Sequence, residues 1–201
     1  LESWKASRKR KPLILRGARQ VGKTWALKEF GRLNYERVAY FSLEKLNPDT
    51  PSEYAQFFEA TNDPQRIIDS LSLAGGGGIK PASTLVILDE IQDCPAALSS
   101  LKYFCEGAPE YHVACAGSLL GVTLASNEQS FPVGKVTFRD MRPATFSEFL
   151  RATGSANLEE YCRSIEKPEA IPDLFANQLT EKLQQYFVVG GMPEAVQEYA
   201  N

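Results

Sequence analysis

Histidine is almost missing from this chain: His112 is the only one among 201 residues. The four cysteines, Cys94, Cys105, Cys115 and Cys162, stand apart and show none of the short pairings that zinc sites use. A metal centre of imidazole and thiolate, or a Cys/His nucleophilic pair, is therefore poorly supported. The thiols read as the reduced cysteines of a cytoplasmic protein, and His112, at the entry to an apolar strand, reads as structural. No apolar run approaches the length of a membrane-spanning helix, and no signal-peptide pattern precedes the first strand. Positive charge is not in excess: a net charge of −3 and a pI near 5.4 give no global attraction to nucleic acid. No internal repeat is visible. What is present is 43% hydrophobic content, enough for one substantial core with a small appendage. Leu1 in place of an initiating Met, and a C-terminus (Pro193 to Asn201) that stops within a helical pattern, read as a piece of a longer protein.

One octapeptide dominates the remainder. Gly17-Ala18-Arg19-Gln20-Val21-Gly22-Lys23-Thr24 has a Gly, four residues, then Gly-Lys-Thr. Such a loop lets the backbone curl until successive N–H groups face one cavity, where phosphate oxygens can accept from them. Lys23 is expected to reach the β- and γ-phosphates and the Thr24 hydroxyl to take a place on Mg²⁺. The helix that begins here, with Trp25 in its first turn, adds its positive end. Context supports the pattern. Pro12 to Arg16 reads as a buried strand running into the loop, and Ala26, Leu27 and Phe30 mark one helical face before Gly31. Nucleotide binding is the expectation, with residues 17–25 as the phosphate-binding stretch.

The second informative segment is Thr84-Leu85-Val86-Ile87-Leu88-Asp89-Glu90. An all-apolar run reads as a strand buried on both faces of a parallel sheet. It ends in two adjacent carboxylates, the Walker B form. Asp89 is expected to hold Mg²⁺, directly or through water, and Glu90 to act as general base on the attacking water.

Further strands are expected at Arg37–Leu43, Tyr111–Ser118 and Lys135–Arg139. Helices are expected over Tyr54–Leu73 and after an opening at Asp93-Cys94-Pro95, the latter with Leu98, Leu101 and Cys105 on one face and stopped by Gly107. Gly75 to Gly78 reads as a flexible connection, because no helix start or Lys-Thr follows it. Alternating strands and helices imply right-handed crossovers and a three-layer α/β fold with a mainly parallel five-stranded sheet. Ligands of such sheets sit beyond the carboxyl ends of the strands, where Lys23, Asp89 and Ser118 all follow. From Thr145 onward the pattern is helical. Thr145-Phe146-Ser147-Glu148 is a capping box, with Phe146, Phe149 and Leu150 as its buried stripe. Phe175, Leu179, Leu183 and Phe187 mark another helix, and Gly190-Gly191-Met192-Pro193 turns into the last. The resulting division is a solvated basic lead-in (1–11), a nucleotide-binding core (12–142) and a small helical lid (143–201).

With these residues in view, the chain resembles the AAA-type P-loop ATPases of bacteria and archaea that carry a C-terminal domain of unknown function after their lid. The likeness rests on Leu13 to Thr24, on Leu88-Asp89-Glu90-Ile91-Gln92, on Ala116-Gly117-Ser118-Leu119-Leu120, on Pro143 to Leu150, and on Gly190-Gly191-Met192-Pro193-Glu194. It implies an AAA-like strand order 5-1-4-3-2, with the Ser118 strand between those of Lys23 and Asp89, and a sensor role for Ser118 toward the γ-phosphate. Many relatives have Gly-Arg where this chain has Gly134-Lys135; a Lys keeps the charge but not the planar fork, which puts an arginine-based role at this position in doubt.

The function expected is Mg-dependent ATP hydrolysis coupled to movement of an attached or partner domain, with Glu90, Lys23 and Ser118 as catalytic residues. A nucleotide-gated switch with little hydrolysis and a P-loop kinase stay open as alternatives. A GTPase is disfavoured, because no Asn-Lys-x-Asp motif appears. Transition-state charge in such enzymes usually also calls for an arginine delivered from the side. Arg19, Arg139 and Arg142 stand in no unmistakable finger position, so the fragment alone is expected to turn over slowly. Partners expected are ATP, the C-terminal domain of the full chain, and a protein or oligomeric neighbour, with neither nucleic acid nor membrane supported.

Overall fold

The computed structural model describes residues 1–47, 49–118, 132, 134–167 and 170–201. Two compact units divide it, Leu1–Met141 and Arg142–Asn201.

The first unit is built on five strands: β1 (Leu13–Gly17), β2 (Arg37–Ser42), β3 (Thr84–Asp89), β4 (His112–Gly117) and β5 (Thr137–Met141). They lie in the order β2-β3-β4-β1-β5, with every pairing parallel. This is the expected three-layer arrangement, and β4 does lie between β1 and β3. Period-two alternation sorts the apolar side chains to the two faces. Ile14, Phe41, Val86, Leu88, Val113 and Cys115 join one core, covered by α3 (Ala55–Glu59), α4 (Pro64–Ala74) and α5 (Pro95–Gly107). Leu13, Leu15, Leu85, Ile87, Ala114 and Ala116 join the other, against Leu27 and Phe30 of α2 (Lys23–Asn34). Every residue of β3 and β4 is buried, so their polar chemistry has to lie at the strand ends.

Several local expectations need correction. The stretch 54–73 is two helices rather than one. Asp63 is extended, its carboxylate accepts from Gln65 N at 2.9 Å, and Pro64 follows, which starts a new helix and cannot continue an old one. The first strand begins at Leu13, since Pro12 has no N–H for the ladder. β5 runs two residues later than read, because Lys135 lies in a turn and pairs with Glu106 at 2.8 Å, whereas Thr137 N is the donor that reaches Pro12 O. In α5 the buried place near Cys105 belongs to Phe104. The Gly75–Gly78 connection is tied down by Arg37, whose guanidinium donates to the carbonyls of Gly75 and Gly78.

The lead-in also differs from a merely solvated stretch. A short helix, α1 (Glu2–Lys5), buries Trp4, whose Nε1 donates to Lys11 O at 2.7 Å. Lys5 caps the α2 end at Asn34 O, and Arg10 reaches Pro109 O. Trp4 stands edge-on to His112, which is 5% exposed and shares a 2.7 Å hydrogen bond between its Nδ1 and the Tyr35 hydroxyl.

The second unit consists of α6 (Phe146–Ala152), α7 (Ala156–Ser164), α8 (Asp173–Val189) and α9 (Pro193–Ala200). The capping box forms in both directions between Thr145 and Glu148. Of the α6 stripe, Phe149 and Leu150 are buried and Phe146 is half-buried. α7 carries no strong sequence signal; Glu159, 1% exposed, holds it by accepting from Ser147, Arg151 and Arg163. The expected α8 stripe fails at its end, where Phe187 is 76% exposed. Four residues advance a 3.6-residue helix by more than a turn, so the fourth member of an i+4 series has rotated about 120° away. Tyr186 takes the contact, with its ring 5.4 Å from that of Phe149 and its hydroxyl on Ala144 O at 2.8 Å.

Burial, followed by the charges of Arg10 and Lys5, lowers the His112 pKa from 6.5 to about 4. The unfolded imidazole takes up a proton in this window and the folded one does not, so stability is full above pH 6.5, falls between 6.5 and about 4, and levels off below. At ~1.4 kcal/mol per pKa unit the ceiling is about 3 kcal/mol. Urea unfolding at about pH 7 and about pH 4.5 should show this loss in the parent and a clearly smaller one in His112→Gln.

Candidate functional site

The site grows from the carboxyl ends of β1, β3 and β4. After β1 the chain turns through the loop 17–22 into α2. Gly22 is the N-cap in the left-handed region at φ 92°, and no side chain caps the helix. The first N–H groups of α2 are therefore available to an acceptor from outside the helix. Gly17 is required for a different reason: a Cβ there would lie 2.2 Å from the Met141 carbonyl oxygen on the adjacent β5. Ala18, Arg19 and Gln20 are exposed, Val21 is buried beneath them, and Gln20 also has a positive φ of 59°.

Lys23 is 6% exposed, and its Nζ donates to the carbonyls of Ala18 at 2.7 Å and Gly17 at 3.2 Å. Burial lowers its pKa, while the carboxylates of Glu90 and Asp89 pull in the opposite direction. Thr24 Oγ1 donates to Asp89 Oδ2 at 2.8 Å, which joins the start of α2 to the end of β3. The other Asp89 oxygen accepts from Glu90 N at 3.1 Å. Glu90 has φ 49° and ψ 46°, a left-handed conformation that non-glycine residues seldom hold and that turns its side chain out of the strand direction. Its Oε2 accepts from Gln92 Nε2 at 2.5 Å and from Ser118 Oγ at 3.3 Å.

Thr24, Asp89, Glu90 and Ser118 are thus linked by hydrogen bonds, while Lys23 is held by the loop carbonyls and feels the two carboxylates electrostatically. Leu119 and Leu120 of the quoted Ser118 motif lie outside the described residues. Trp25, placed with the phosphate-binding stretch, is 71% exposed. Of the side arginines, Arg139 is exposed and donates to its neighbour's carbonyl at Phe138, while Arg142 belongs to the second unit.

Two residues of the site were given no role from sequence, although Gln92 closes the quoted Leu88–Gln92 stretch. Tyr40 of β2 donates to Asp89 Oδ2 at 2.9 Å, and burial together with that carboxylate raises its pKa to about 12. Gln92, in the 3-10 turn Ile91–Asp93, donates to Glu90 as described. Tyr40 has no linear signal: it reaches the site only because the register sets it opposite Ile87, one side-chain step from Asp89.

The family model described as an AAA domain matches residues 9–150, more than half of the chain. The chain belongs to the AAA domain family. Among solved structures, this AAA domain is similar to the Walker-type ATPase PABY2304 of Pyrococcus abyssi, with 18% identity and a TM-score of 0.51. That match covers 94% of this chain and 63% of the other. It is also similar to PCH-2 of C. elegans, with 14% identity and a TM-score of 0.48, covering 92% of this chain and 52% of that one. The AAA domain therefore spans less than two thirds of either structure. At such identities the likeness concerns the fold, which is that of the P-loop ATPases. No curated protein matches. Among the described residues no helix is long and apolar enough to cross a membrane.

Gly17→Ala is the sharpest test of the loop's packing. The added methyl meets backbone rather than a movable side chain, so a loss on the order of 1–3 kcal/mol is expected in denaturant unfolding. Ala18→Gly, at an exposed neighbour, should cost well under half as much.

Proposed function

We propose that this AAA domain binds ATP with Mg²⁺ and hydrolyses it, and that the cycle moves an attached or partner domain. The observation that carries the reading is the junction at Asp89, where the carboxylate at the end of β3 meets Thr24 at the start of α2, with Glu90 next in the chain. The residues fit the substrate. Uncapped N–H groups of α2 and the buried ammonium of Lys23 are suited to the β- and γ-phosphates. They fit the ion as well. Asp89 and Thr24 offer hard oxygens, and among the described residues no group of three His, Cys, Asp or Glu is arranged to hold a metal ion by itself. That sparse set suits Mg²⁺, which takes its remaining ligands from phosphates and water. When bound, Mg²⁺ neutralises charge on the β- and γ-oxygens.

The chain's own residues do the rest. Lys23 exchanges its loop carbonyls for phosphate oxygens. Glu90 accepts the proton of the attacking water, with Gln92 and Ser118 fixing its carboxylate. Ser118, one hydrogen bond from Glu90, reports on the terminal phosphate. A second reading, a nucleotide-gated switch with little hydrolysis, is favoured by one observation: Glu90 Oε2 is already engaged by two donors.

Saturating Mg-ATP, at ~100-fold above Kd, should stabilise the protein by roughly 2.7 kcal/mol. For a chain of this size that is about 5–10 °C in Tm. Lys23→Ala should abolish the shift, and an equal shift in the variant would overturn the phosphate assignment. Glu90→Gln should keep the shift and lower steady-state turnover by roughly 10²–10⁴. Parent turnover indistinguishable from that of Glu90→Gln would favour the switch.

A further inference from the structure

Tyr40 is hard to explain as packing. It is 37% exposed, and with Lys28, Arg32 and Val38 it lines an open groove of about 420 Å³ between α2 and the edge strand β2. Its two ends are nevertheless both engaged. The hydroxyl donates to Asp89 Oδ2 at 2.9 Å, the same oxygen that accepts from Thr24 at 2.8 Å. The Lys28 ammonium lies 3.5 Å from the ring centroid, within cation–π range. Thr24 and Lys28 are one turn apart on α2, so a single helix face contacts both ends of the Tyr40–Asp89 pair.

We propose that Tyr40 is a positioning residue for the Mg²⁺ site: it fixes the orientation of the Asp89 carboxylate and thereby sets how strongly nucleotide binding depends on Mg²⁺. The inference rests on the assignment of Asp89 and Thr24 to Mg²⁺ given above. Its physical basis is the geometry of a carboxylate. Without the phenol, Oδ2 would be held by Thr24 alone, itself assigned to the ion, whereas Tyr40 adds a donor that is no ligand and, with Glu90 N on Oδ1, restrains rotation about χ2. Donors of this kind, one bond away from a metal's ligands, typically govern affinity by 10–100-fold. The phenol comes from β2, so neither motif that announces the site includes it.

Tyr40→Phe tests this, since it keeps the ring and its contact with Lys28 and removes only the hydroxyl. Binding of a fluorescent ATP analogue is titrated at a series of Mg²⁺ concentrations and in EDTA. The expected result is a rise of roughly 10–100-fold in the Mg²⁺ needed for half-maximal effect, with affinity in EDTA unchanged. A purely structural role would change both affinities together or neither, and either outcome overturns the proposal. Tighter Mg²⁺ dependence would also overturn it, by making the hydroxyl a competitor of the ion. Tyr40→Met, which needs no aromatic packing, serves in place of Phe should that variant fold poorly. If the parent itself binds the analogue equally with Mg²⁺ and with EDTA, it is the Mg²⁺ assignment that fails.

Discussion

A strand buried on both faces can carry no polar side chain along its length, and this constraint organises the whole first unit. β3 and β4 are buried from end to end. Parallel pairing then brings every carboxyl end to one edge of the sheet, and with them the first residues able to bear charge. The carboxylates of Asp89 and Glu90, the hydroxyl of Ser118 and the loop after Gly17 meet because they have nowhere else to lie. The hydrogen bond from Thr24 to Asp89 closes this edge by joining the helix after β1 to the strand two places away.

Two of the three described non-glycine residues with positive φ lie at the same edge, the third, Ala82, preceding β3 at its other end. Gln20 and Glu90 hold positive φ without being glycines, and both flank the linked side chains. Such conformations cost on the order of 1–3 kcal/mol each and persist when the surroundings over-determine them. For Glu90 the surroundings are explicit: its N–H is held by Asp89, and its carboxylate by Gln92 and Ser118. A carboxylate held in this way has a fixed orientation before any ligand arrives.

Away from the edge, the remaining polar groups serve cohesion. His112 is neutral and locked between Trp4 and Tyr35, so the first residues of the chain belong to the core rather than to solvent. Glu159 performs a comparable task in the second unit, where burial is tolerated because three donors meet its carboxylate. Its pKa accordingly falls to about 2, with the Ser147 hydroxyl as the leading cause.

The local pattern alone was enough for the strand-loop-helix at Gly17 to Thr24, the buried run ending at Asp89, the capping box at Thr145 and the alternation that implies a parallel sheet. Each depends on interactions within a few residues, or on burial that imposes a period of two. Sequence reading went astray where a competing neighbour decided the outcome: Pro64 and Asp63 broke a long helix, the Lys135–Glu106 pair moved the fifth strand, and Tyr186 displaced Phe187 from the apolar face. Trp4 gave no sign of burial because the bases around it mask a single aromatic residue. Tyr40 was invisible for a stronger reason. A hydroxyl 49 positions before its acceptor has no periodicity to betray it. Only the register of β2 against β3, set by long-range pairing of the two strands, brings that phenol to Asp89.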